Sequence, residues 1–338
     1  MVLRTAPQWS LSCTSVRSLW TCPIERISKV SIASFYSPDG QPTPHRLLTR
    51  PHPRAVTGGV HDDSGQGQDE PAGDAPSFSD VDSSSDEARA AALAALDVQA
   101  QLPPIQRLHA WLLEQLDPLP GMHVMDVGCG TGEDVRGLAV SVAPTGSATG
   151  VDPSGTMLAE ARRRGEAARN PARFVSGSAD RLPVADAALD LVRSERVLQH
   201  LTDPVVAVRE MARALRPGGR VGLIDTDWRT LATWPGDPHM AAVWRESWGG
   251  GPSPAAGAQL LDLVLRHGFV DARVTTEVLM LRPRDLGQPP VSMVLEEATR
   301  RAEAAGEGAS WRQDLEQSAA QGSFVFSVTL YAVVATRA

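Results

Sequence analysis

Five carboxylates and a histidine lie where apolar runs of this chain end, and their surroundings suggest a shared ligand. Asp126 sits inside Val124-Met125-Asp126-Val127 and is followed at once by Gly128, Gly130 and Gly132. Glycines so spaced allow a tight turn at positive φ, or a close approach of backbone to a ligand with no Cβ in the way. Asp152 ends a second apolar run, where a carboxylate can accept hydrogen bonds from ribose hydroxyls. Asp180 follows a third run; it could accept from an adenine amino group, with the Ala179 N–H nearby and the Met157 side chain able to pack on the adenine face. The dinucleotide fingerprint is G-x-G-x-x-G, whereas this turn is G-x-G-x-G and stands beside an acid. An acid there suits an ammonium or sulfonium better than a phosphate. Three acids at successive strand ends, with apolar packing, match an adenosine with a cationic tail.

Two groups further on are candidates for general-base work. His200, in Val197-Leu198-Gln199-His200, follows the fourth apolar run and could face an acceptor. The alternative reading, a structural histidine or a pocket wall, is favoured for it because base catalysis is optional when the donor is already reactive. Asp227, just past the fifth run, is the second candidate, with a helix or loop cap as its alternative. Glu195 has a similar position and reads more readily as a surface salt bridge.

The elements that must position these groups alternate. His123 to Val127 has the apolar density of a strand buried on both faces, and Asp134 to Val142 repeats Val135, Leu138, Ala139 and Val142 at helical spacing. Strand, glycine turn and helix in that order present backbone N–H groups to a ligand. Further strands are expected at 147–151, 172–176, 188–192 and 220–225, with helices at 154–168 and 204–215 between them. Such alternation gives a parallel, doubly wound α/β sheet that binds ligands beyond the carboxyl ends of its strands. Residues 272–281 and 323–336 read as a closing antiparallel pair, the latter through its alternating Phe324, Phe326, Val328, Leu330, Ala332 and Val334. A first amphipathic pattern over 88–100, broken by Pro103-Pro104, and a second over 105–116 would be cap helices that pack on the sheet or cover the ligand.

Four motifs in this order resemble the class I S-adenosylmethionine-dependent methyltransferases, in particular the quinone-biosynthesis and natural-product group. They are VMDVGCGTG at 124–132, GVDPSGTMLAEAR at 150–162, GSADRLPVADAALDLVRSERVLQHLTDP at 177–204, and ALRPGGRVGLID at 214–225. The resemblance implies a Rossmann-like, doubly wound, seven-stranded sheet with its last strand reversed, and S-adenosyl-L-methionine as cofactor. It implies that Gly128 and the turn through Gly130 and Gly132 contact the methionine part, with Asp126 supporting the amino group. Asp152 would hold the ribose, and Ala179 and Asp180 would read the adenine. Arg193 and Ser194 would lie beside the methionine tail through their backbone.

The expected organisation is an N-terminal extension over 1–76, cap helices over 77–119, and a core over 120–282 that contains a Trp-rich insertion at 228–258. A helical lid over 283–322 and a terminal strand over 323–338 complete it. Trp228, Trp234, Trp244 and Trp248 would line an aromatic acceptor pocket or fill the interface beneath the lid. The extension lacks periodicity and reads as disordered. Its basic, Ser-containing first 30 residues resemble a transit peptide only weakly, and an alternative is that translation starts later, at Val56 or Val60. A net charge of −8 disfavours nucleic acid and anionic membranes as partners. Cys13, Cys22 and Cys129 form neither a metal spacing nor a disulfide framework, so no metal is expected and the setting reads as cytoplasmic. Lys29 is the sole lysine, which fits a GC-rich bacterial genome. The overall expectation is a methyltransferase acting on a small aromatic or hydrophobic acceptor by C- or O-methylation, as monomer or homodimer. The alternatives are a non-catalytic S-adenosylmethionine-binding subunit, and a nicotinamide reductase, which the glycine spacing and the absence of a Tyr/Lys pair disfavour.

Overall fold

The computed structural model describes residues 81–234, 251–282 and 313–338 except 315 and 319. Seven strands form one sheet: β1 (His123–Val127), β2 (Ser147–Asp152), β3 (Arg173–Ser176), β4 (Leu189–Glu195), β5 (Leu215–Trp234), β6 (Phe269–Leu281) and β7 (Val325–Arg337). Their spatial order is β3-β2-β1-β4-β5-β7-β6. The first five are parallel, and β7 runs antiparallel to both β5 and β6. This is the doubly wound arrangement with a reversed last strand that the alternation of elements implied.

Helices α1 (Asp86–Ala100), α2 (Pro103–Leu116), α3 (Glu133–Val142), α4 (Gly155–Ala167), α5 (Pro204–Ala214) and α6 (Ala256–Arg266) complete the described chain. On one sheet face Val124, Leu191, Ile224 and the even-numbered residues of β7 pack with α2 and α3 through Leu108, Leu112, Val135 and Leu138. On the other, Val127, Val192 and Leu223 pack with α5 and α6 through Val208, Met211, Leu260 and Val264. β7 therefore reads as alternating because its two faces serve two different cores.

Several element boundaries differ from expectation, among them the start of β5, at Leu215 rather than 220, and two have a clear physical reason. Pro103 and Pro104 follow the break after Ala100, as expected, but also open the second cap helix, since the first helical turn needs no N–H donors. The fifth strand does not stop at Asp225: it continues to Trp234 through a bulge, its register with β7 slipping between Asp227 and Ala232. The insertion therefore begins with strand. Of the helical lid expected over 283–322, residues 283–312 lie outside the described residues. Among the described residues no helix is long and apolar enough to cross a membrane.

Candidate active site at the carboxyl ends of the strands

The turn after β1 is held by its neighbour strand, the Gly128 and Cys129 N–H groups both donating to the Val151 carbonyl of β2. Gly128, Gly130 and Gly132 all have positive φ. At Gly132 a Cβ would also overlap the Phe174 ring of β3, and at Gly128 it would overlap the Val197 side chain. Two of the three glycines thus answer to packing as well as to backbone conformation. Gly132 leads into α3, whose first turn has no side-chain cap, so N–H groups remain there for a ligand. Cys129 is buried against Gly150, and burial raises its thiol pKa well above the ordinary range, which makes it a packing residue.

Asp152 accepts hydrogen bonds at both oxygens, from the Gly130 N–H (2.9 Å) and the Ser154 N–H (2.9 Å). It ties the glycine turn to the head of α4, and burial holds its pKa above the ordinary carboxylate value. Met157 is buried, packing with Val81 and Ala92 and flanked by Leu93 and Leu96 of α1. Leu96 also stands over Gly130, 3.9 Å from where a Cβ would be. Ala179 is buried and Asp180 exposed, its carboxylate bonded to the Ser178 hydroxyl. The cap over this part of the site is pinned by Asp82, which accepts from the Ser154 hydroxyl (2.7 Å) and the Gly155 (2.9 Å) and Thr156 (3.0 Å) N–H groups. These bonds depress the pKa of Asp82 strongly, first through Ser154. Asp97 of α1 adds a pair with Arg164 of α4 at 2.6 Å.

Arg193 has a side-chain role that the sequence motif did not specify. Its side chain, 5% exposed, turns inward, where it pairs with Asp126 directly across the β1–β4 ladder (3.1 Å), with Asp134 (2.9 Å) and with Glu195 (2.5 Å). Glu195 is correspondingly no surface ion pair: its side chain is 8% exposed and also meets His109 of α2 at 2.5 Å. Burial opposes the charge on His109, but the Glu195 hydrogen bond and the Glu195 and Asp134 charges outweigh it and raise its pKa. Burial opposes ionisation of Glu195 too, and Arg196, His109 and Arg193 together bring its pKa far below the ordinary value. For Asp126 burial wins, and its pKa is raised despite Arg193. Asp134, Glu195 and His109 offer a metal-ligand grouping by proximity. With the Arg193 guanidinium already on both acids, the grouping is an ion-pair network. Ser194 is buried and donates its hydroxyl to the Val127 carbonyl at 2.9 Å.

On the opposite side of the turn, the Trp228 indole N–H donates to Gln199 Oε1 (2.9 Å), and Gln199 Nε2 lies 3.1 Å from His200 Nε2. Since the amide nitrogen can only donate, His200 Nε2 is the acceptor and its proton sits on Nδ1. Burial, then the positive Arg196, lowers the His200 pKa, so the ring is neutral near neutrality. Asp227 is buried and bound by its neighbour Arg229 through the N–H (3.1 Å), Nε (2.8 Å) and Nη2 (2.9 Å). The carboxylate thus caps the bulge within β5. Asp225, which sequence reasoning passed over, accepts from the Gln199 N–H (3.3 Å) and is pushed up to about 7 by burial. Trp234 is 62% exposed, six residues beyond Trp228 along β5, so the two are not brought together. Trp244 and Trp248 lie outside the described residues.

A groove of about 500 Å³ elsewhere, at the start of β5, is lined by Arg209, Arg213, His267 and Arg337. Arg213 is already bound to Asp186 and Glu210, and Arg337 to backbone carbonyls. The groove does not belong to the site.

A family model described as a methyltransferase domain matches residues 125–223, the segment that holds the turn and all four strand-end acids from Asp126 to Glu195. Residues 125–223 are thus a methyltransferase domain. It is 35% identical over 232 residues to an uncharacterised 37.1 kDa protein of transposon TN4556 from Streptomyces fradiae, covering 66% of this chain and 65% of that one. It is 33% identical to an O-methyltransferase of Pyrenophora dematioidea (48% and 60% covered). Against a demethylmenaquinone methyltransferase of Staphylococcus aureus it is 39% identical (33% and 46% covered). The chain therefore spans between about half and two-thirds of the length of these relatives. The methyltransferase motifs carry no signal for His109, Asp82 or Leu96, which lie on elements before them in sequence. For Glu195, the two-residue step from Arg193 along one strand was a usable sign that both share a face.

Proposed function

We propose that the protein transfers a methyl group from S-adenosylmethionine to carbon or oxygen of a small aromatic or hydrophobic metabolite, quinone-like or a secondary metabolite. The observation that carries this reading is the Asp126–glycine turn–Asp152 assembly, in which buried acids and an uncapped helix end converge at the carboxyl ends of β1 and β2. That donor set fits the family's cofactor: the helix end for a carboxylate, Asp126 for an ammonium, Asp152 for a ribose diol, and Ala179 with Asp180 for an adenine edge. Bound S-adenosylmethionine would supply an activated methyl group, so that alignment and exclusion of water do most of the remaining work. The similarity to an O-methyltransferase and to a demethylmenaquinone methyltransferase supports a phenol- or quinone-like acceptor.

Asp152 holds the turn by its Gly130 bond and retains lone pairs for a diol. Leu96, packed against the apolar cluster that holds Met157, forms part of an apolar wall beside Gly130. On the acceptor side His200 donates through Nδ1, while Nε2 can act as a base only after leaving Gln199. We therefore assign His200 an orienting role, with Gln199 and Trp228 fixing its tautomer. Isothermal titration with S-adenosylhomocysteine, followed by methyl transfer to a panel of phenols and demethylated quinones, tests the reading. Binding with no transfer to any acceptor would favour a non-catalytic subunit, and absence of binding would overturn the proposal. Loss of most turnover in His200→Ala, with the affinity for cofactor unchanged, would restore His200 as the base.

A further inference from the structure

β6 is an edge strand of 13 residues, and among the described residues its outer side pairs with nothing. Long edges are ordinarily blunted by proline, by inward-pointing charge or by brevity, because unpaired N–H and C=O groups template association. β6 has no proline, and its even-numbered face is apolar and open: Val274 is 48% exposed, Val278 50% and Met280 48%. Helix α6 packs on this strand but leaves that stripe uncovered. A bulge at Asp271, where φ is 51°, interrupts the ladder to β7, and regular pairing resumes at Arg273.

The other face supplies the feature that selects the partner. Arg273 and Glu277 lie four residues apart on the same side of the strand, equally spaced about Thr275. If a second β6 pairs antiparallel about a two-fold axis at Thr275, each Arg273 stands opposite Glu277 of the other copy, twice by symmetry. The same register sets Val274 opposite Thr276, with Val278 diagonal to it, so the two apolar stripes meet side by side on one face of the joined sheet. Arg273 reaches Gln115 of α2 at 2.6 Å, and both Glu277 oxygens bond Arg107 of α2 at 2.9 and 2.7 Å, each keeping a further lone pair. One strand therefore carries a sequence complementary to itself in both charge and apolar pattern, as an isologous contact requires.

We propose that the outer edge of β6 is a homodimer interface in which two copies join their sheets across a two-fold axis at Thr275. Sedimentation of the full chain should show a dimer that dissociates on dilution. Arg273→Glu replaces two attractive pairs by two repulsive ones and should raise the dissociation constant about tenfold or more. Glu277→Lys should do the same, and an equimolar mixture of the two variants should form a heterodimer, because each reversed charge then meets its opposite. Glu277→Lys also loses the Arg107 bond within its own chain, so Val278→Asp, at an exposed position, provides an independent probe and should also leave a monomer. Circular dichroism checks that each variant is folded. A wild-type monomer at every concentration, or a dimer untouched by both Arg273→Glu and Val278→Asp, overturns the proposal. So does a mixture of the two charge variants that remains monomeric.

Discussion

Replacing Arg193 by methionine should expose how much of this site rests on one guanidinium. The substitution keeps the apolar stem and leaves Asp126, 2% exposed, without its cationic partner. At 3.1 Å and an effective dielectric of about 20, the lost attraction is ~5 kcal/mol, within reach of the ~3–5 kcal/mol typical for stripping one partner from a buried pair. Glu195 is less affected, because His109 and Arg196 remain beside it. The loss should also depend on pH, in a direction fixed by Asp126. Its folded pKa is already raised by burial and rises further without Arg193, so the ionised form opposes folding in the variant. Protonation relieves that penalty. The deficit against wild type should therefore be small at about pH 5 and widen by about pH 8, where the wild-type carboxyl ionises beside Arg193 and the variant's has no such partner. Urea unfolding followed by tryptophan fluorescence at both pH values measures it, and adding Asp126→Asn should recover most of the loss. A deficit under about 1 kcal/mol at the higher pH, or one equal at both, would refute the reasoning.

Gly132→Ala should destabilise by about 2–4 kcal/mol, from a left-handed φ of 73° and overlap with the Phe174 ring, with thermal unfolding as the readout. Asp82→Ala removes three bonds to the head of α4 and should cost about 1 kcal/mol, and hydrogen exchange should quicken across 86–100 while β1 and β4 stay protected. His109→Gln tests the α2 contact through its pH profile. Because the His109 pKa is raised in the folded chain, its contribution is complete below the unfolded value of about 6.5 and disappears as pH rises through the folded one. Melting temperatures of wild type and variant should accordingly converge on the alkaline side, and a constant gap would contradict the ion-pair assignment.

The parts of the fold written locally were legible in the sequence. The glycine turn, the strand-end acids and the helix repeats depend on neighbours a few residues away, and the structure puts each on the element expected. Legibility failed where a residue's meaning comes from a distant partner. Arg193 and Asp126 are 67 residues apart and His109 and Glu195 are 86, so no window along the chain joins them. Met157 packs with Val81 and Ala92, a contact its sequence neighbours do not announce, because an apolar side chain gives no sign of what will pack on it. The β5 extension was hidden by composition: Trp228 to Leu231 bulge from the ladder, so their sequence looks like loop although strand resumes at Ala232.

The place of β7 in the sheet also bears on how the chain can fold as it is made. β7 follows every other strand in sequence, yet in space it separates β5 from β6. Until residues 325–337 leave the ribosome, β5 has a bare edge and β6 has no neighbour within the sheet. Strands β1 to β5 can pair during synthesis, while the remaining third of the sheet must wait as a nascent chain with apolar, unpaired strand edges. Such a chain draws most heavily on chaperones in the last moments of translation, and ribosomes stalled before codon 325 should present their product as a chaperone client.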